Sequence, residues 1–176
     1  MAQGNEFHSS GSIAADGSFT SAFSEVYDDE VYPVGTLRYE SSDSVSETAG
    51  HSGDRLWVFV KAVGALTANT VIKRDTSGTP VAPFSGATAG ANAPVATLLG
   101  VAQTTIADTK YGWIVKRGVC EVIATSALTK GDHLISTASG KVDDTGLTGG
   151  NGSMVLGQAL DDGTTDNAFT AYISIP

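Results

Sequence analysis

No stretch of this sequence sustains a helical period of apolar residues. Its apolar residues come instead in short runs, broken every few positions by Gly, Ser, Thr, Asn or Asp. Such a chain builds strands joined by turns, not packed helices. Leu56-Trp57-Val58-Phe59-Val60 is continuous, the pattern of a strand buried on both faces. Phe169, Ala171, Ile173 and Ile175 alternate with Thr170, Tyr172 and Ser174, the pattern of a strand with one face on a core. Further strands are expected over 70–73, 96–102, 111–115, 119–124, 133–136 and 154–159. The segments SGATAGANAP (85–94) and DDTGLTGGNG (143–152) have loop composition. The fold class expected is therefore all-β, a compact β-barrel or β-sandwich.

The sequence also repeats itself. Ala65-Leu66-Thr67-Ala68-Asn69-Thr70-Val71-Ile72 matches Ala127-Leu128-Thr129-Lys130-Gly131-Asp132-His133-Leu134. In the same register Ser77-Gly78 aligns with Ser139-Gly140. Leu99-Gly100-Val101-Ala102 then matches Leu156-Gly157-Gln158-Ala159. Two copies are too few for a solenoid. An internal pseudo-repeat within one β-body is the simpler reading.

Charge divides the chain differently. Of the net charge of −9, all belongs to residues 1–54, which hold ten acids and one base, Arg38. Residues 55–176 hold nine of each. This gives two expected regions: an acidic N-terminal arm and edge segment (1–54) and a β-rich body (55–176). Residues 1–24, rich in Ser, Gly and Ala, bury too little to fold alone and order only against something else. Pro33 suits an edge strand rather than a central one. So acidic a chain is a poor nucleic-acid ligand, because phosphate contacts need Lys and Arg. No apolar run reaches membrane-spanning length, and the opening MAQGNEFHSSGS lacks the n- and h-regions of a signal peptide. Expression in a cytoplasm follows, with no membrane partner.

Candidate chemistry is sparse. His8, His51 and His133 form no HxxxH or Cys/His pattern, so a zinc site is unsupported. Asp132-His133 is not half of a triad: neighbours on a strand face opposite ways, and no nucleophile motif accompanies them. Asp161 to Asn167 carries the oxygen ligands and glycine of a calcium loop. It lacks the EF-hand spacing and closing Glu, and its residues also make turns. Cys120, within Val119-Cys120-Glu121-Val122-Ile123, is a small core hydrophobe, and one cysteine makes no internal disulfide. Trp57 and Trp113 each open an apolar strand and belong to the core. No enzyme, cofactor or metal is expected. Tyr27, Tyr32 and Tyr39 differ, standing outside the apolar runs among the acids Asp28, Asp29 and Glu30. Tyrosine serves well at interfaces, and these six residues are the candidate partner-binding set.

Several short motifs resemble those of bacteriophage head decoration (cement) proteins. They are Leu99-Gly100-Val101-Ala102, Tyr111-Gly112-Trp113-Ile114-Val115-Lys116-Arg117-Gly118, Ala127-Leu128-Thr129-Lys130-Gly131-Asp132, Ser139-Gly140-Lys141-Val142 and Val155-Leu156-Gly157-Gln158-Ala159, with the closing strand Phe169 to Ile175. The resemblance covers residues 96–176 well and 55–95 weakly, and leaves out 1–54. It implies a compact β fold without enzymatic activity, bound to the major capsid protein on the virion surface, as trimers at local threefold positions. The alternative is a tail- or fibre-associated β-protein or a glycan-binding adhesin, with Asp161 to Asn167 beside Tyr172 as its site.

Overall fold

A computed structural model describes residues 22–40, 54–77, 84–144 and 155–176. Among these residues eleven strands form one mixed sheet, with short 3-10 turns between some of them. They are β1 (Val26–Tyr27), β2 (Leu37–Glu40), β3 (Arg55–Ala62), β4 (Val71–Arg74), β5 (Ser85–Thr88), β6 (Leu98–Ala102), β7 (Tyr111–Ile123), β8 (His133–Ser136), β9 (Val142–Asp144), β10 (Gly157–Ala159) and β11 (Ala168–Ser174). The all-β class holds. The two strands expected over 111–115 and 119–124 are one continuous strand, β7. Two strands lie where loops were expected. β5 occupies the start of SGATAGANAP and β9 the start of DDTGLTGGNG. β5 is built of small residues because its neighbours come close: a Cβ on Gly86 would stand 2.7 Å from Ile72 Cγ2.

The repeat is structural, and β7 is shared between its copies. In the first half β3 pairs with β5, β5 with β4, β4 with β6, β6 with β7, and β7 with β3, so the pairings close in a ring. In the second half the far part of β7 pairs with β11, then β10, β8 and β9 follow. The Ala124–Val142 bridge closes this ring in turn. The registers coincide. Val58 faces Ile114 as Cys120 faces Ala171. Ile72 faces Gly100 as Leu134 faces Gly157, and Ala102 faces Ile114 as Ala159 faces Ala171. Gly100 and Gly157 are small for one reason. An added Cβ would meet the Val115 carbonyl at 2.5 Å in one half and the Tyr172 carbonyl at 2.1 Å in the other.

Each half encloses equivalent side chains. Val58, Val60, Leu66, Ile72, Leu99 and Ile114 fill the first; Cys120, Val122, Leu128, Leu134, Leu156 and Ala171 fill the second, and all are buried. The turns leading into β4, β7, β8 and β11 share a left-handed residue at one position: Asn69, Thr109, Gly131 and Asp166. These turns are tied in pairs by mutual backbone hydrogen bonds, Leu66 with Ile106 and Leu128 with Gly163.

The outer faces break the symmetry. Trp57, Phe59, Trp113 and Val115 on the first half are buried. Their counterparts Val119, Glu121, Thr170 and Tyr172 are half-buried or exposed. Residues 22–34 cover the first face, with β1 paired to β7 at Tyr111 and Gly112. Charge follows the same division. Residues 55–118 hold seven bases and two acids, and residues 119–176 hold two bases and seven acids. The acidic N-terminal segment thus lies on the basic half.

Candidate partner-binding surface

The tyrosines and acids singled out in the sequence form two surfaces. The first begins with Phe23, which stacks on Trp57 (centroids 4.8 Å apart, planes 8° from parallel) and meets Trp113 edge-on at 5.5 Å. Tyr27 and Tyr32 contact each other edge-to-face and both contact Phe59, at 5.8 and 5.4 Å. Arg38 lies over the Tyr32 ring at 4.4 Å and over Trp113 at 5.3 Å, completing the stack by cation–π attraction. Both tyrosines are half-buried, so their rings anchor the segment to the body. Burial, then the neighbouring Glu25 carboxylate that accepts from its hydroxyl at 3.0 Å, pushes Tyr27 up to about 12.

The acids between these anchors face outward. Asp28, Asp29 and Glu30 are exposed, at the crest of the loop that the two tyrosines pin down. Asp28 pairs with Lys110 at 2.9 Å. Glu30 accepts from the Val34 N–H at 3.0 Å and so closes the turn into β2. Pro33 sits in that turn, where its carbonyl accepts from the Thr36 N–H at 3.0 Å; it is not within a strand. Residues 1–21 of the expected arm, with His8, lie outside the described residues, as do 41–53 with His51.

Tyr39 belongs to the second surface. On β2 the usual pattern is inverted: Leu37 and Tyr39 are exposed at 52% and 65%, whereas Arg38 and Glu40 point inward. Glu40 is buried beside Arg55 at 3.9 Å and accepts from Trp57 Nε1 at 2.8 Å. Tyr39 lines a groove of about 420 Å³ with Asp54, Leu56, Arg117 and Tyr172. Its hydroxyl donates to the Asp54 carboxylate, which raises its pKa. Arg117 Nε donates to the Tyr172 hydroxyl at 3.1 Å, and that bond raises the pKa of Arg117. Leu37, Leu56 and Arg117 were not among the expected site residues. Nothing local to the sequence brings them together, since three strands meet there.

The remaining candidates are engaged in the fold. Asp132 Oδ2 accepts from the Thr129 N–H at 2.8 Å, a turn contact, and His133 is exposed. Within Asp161 to Asn167, Asp162 accepts from the Lys130 N–H at 2.8 Å and Asp166 pairs with Lys141 at 2.6 Å. Among the described residues no three His, Cys, Asp or Glu side chains are grouped as metal ligands.

No protein-family model matches the chain. No curated protein sequence matches it either. Among solved structures, the chain is similar to the N base of head fiber gp8.5 of bacteriophage phi29. The TM-score is 0.52 at 19% sequence identity, over 67% of this chain and 92% of that one. At that identity the likeness is one of fold.

Proposed function

We propose that this chain is a structural protein of a tailed-bacteriophage head, bound to the outside of the major capsid shell and stabilising it. The observation that carries the proposal is the fold shared with a phage head fiber base, which agrees with the decoration-protein motifs in the sequence. The physical case is consistent. Two fused rings make a rigid body that fixes geometry, and the Asp28-Asp29-Glu30 crest offers charge to basic residues of the shell. The chain works without catalysis, and its copies group as trimers at local threefold positions. Modest contacts per copy, repeated over a shell, sum to a large effect.

Stripping the protein from particles and adding it back tests this. Naked heads are expected to remain intact but to rupture at lower temperature or under osmotic shock, and to recover on re-addition. Stripped heads as robust as decorated ones overturn the proposal. The second reading, a fibre-associated protein, is favoured by the same neighbour being part of a fiber. Copy number separates them: hundreds per particle mean decoration, a handful mean a fibre or tail.

A further inference from the structure

We infer that copies of this chain associate head to tail, the acidic crest of one copy seating Asp29 on Arg117 in the groove of the next. Arg117 is exposed on β7. Its Nε donates to the Tyr172 hydroxyl, and among the described residues its two terminal nitrogens make no hydrogen bond or ion pair. Across the sheet Tyr39 faces Leu56 and Leu56 faces Arg117, so the three stand in one row, with Tyr172 beside them. Leu37, Tyr39 and Tyr172 are exposed on this side. Other bases are engaged within the chain: Lys110 with Asp28, Lys141 with Asp166, and Lys61 over the Tyr111 ring. A guanidinium with open terminal N–H groups, set among tyrosines and leucines, receives a carboxylate together with an apolar side chain.

The crest presents that combination. Asp28 is paired with Lys110 and Glu30 accepts from the Val34 N–H, but the Asp29 carboxylate has no partner among the described residues. Val31, two residues on, is an apolar side chain exposed at 51%. The charges of crest and groove are complementary, and each stands beside exposed apolar surface. A crest does not reach its own groove. Tyr27 pairs with Tyr111 at the start of β7, and Arg117 lies six residues further along, about 20 Å away. The contact is therefore heterologous: it joins different surfaces of two copies, and closes as a ring if the rotation allows. It deepens the trimer reading and rests on it for closure at three. Asp28 and Glu30 stay available to the shell.

Sedimentation of the full chain tests this with Asp29→Arg, Arg117→Glu and the double variant, each checked for fold by circular dichroism. The wild-type chain is expected to form trimers that loosen as salt is raised. Each single reversal should weaken association by about tenfold or more. The double variant restores opposite charges across the contact and should recover most of that loss. The Asp29 side chain bonds to none of the described residues, so its reversal reads the contact even where loss of the Tyr172 bond disturbs Arg117→Glu. Wild-type trimers untouched by the Asp29 reversal, or a folded double variant no better than the singles, overturn the contact and leave the trimer standing. A wild-type chain that stays monomeric overturns both.

Discussion

Thr109 holds a left-handed conformation (φ 65°) that β-branched residues avoid, at the turn position filled by Asn69, Gly131 and Asp166 in the other three copies. Thr109→Asn is expected to raise unfolding stability by about 1 kcal/mol in urea titration. A second pair of positions shows complementary exchange between the halves. Gly112 lies beneath Ile106, where a Cβ would stand 2.6 Å from Cδ1; the equivalent places hold Phe169 and Gly163, large and small reversed. Gly112→Ala should cost about 1–3 kcal/mol through overpacking, and Ile106→Ala in the same chain should recover part of it. A double-mutant cycle that sums additively would contradict this packing. Cys120 stands where the first half has Val58. Burial pushes its thiol up to about 12, from an ordinary value of 9.0. The unfolded chain therefore loses this proton first as pH rises. The stability due to the neutral buried thiol is complete below pH 9 and is lost progressively toward pH 12. Cys120→Val should flatten that alkaline decline in melting temperature.

Among the elements, those with strong apolar or alternating runs were legible in the sequence: β8 and β11 lie at or within a residue of their expected ends, and β3 extends its apolar run by one residue before and two after. β5 and β9 were not, because Ser-Gly-Ala-Thr and Val-Asp-Asp carry little strand signal and are strands only through their neighbours. The matching Leu-Thr turns did reveal the duplication. The turns at Ile106 and Gly163 stayed hidden because they preserve a backbone shape with different side chains. The N-terminal tyrosines were legible as unusual, but not their direction. Tyr27 and Tyr32 point into the body because Trp57, Phe59 and Trp113, far along the chain, give them an apolar face. Phe23→Ala should loosen this segment at a cost of about 1–2 kcal/mol, with a red shift in tryptophan emission as Trp57 loses its cover. Unchanged emission would mean that the stack on Trp57 is not formed in solution.

For the molecule as a whole, duplication explains the compactness and its breaking explains the surface. One half carries an aromatic outer face sealed by the acidic N-terminal segment, and the other leaves a polar, acidic face in solvent. Among the described residues, an acidic crest, an inverted edge strand and a tyrosine–arginine groove face outward, features suited to binding protein surfaces. The central claim is that these surfaces serve on the outside of a phage head. Imaging purified particles by electron cryomicroscopy, with an epitope tag added for labelling, tests it most directly. The account predicts regularly repeated density of this fold over the shell's outer surface, in hundreds of copies. Density confined to the tail, or particles that carry none of the protein, would contradict it.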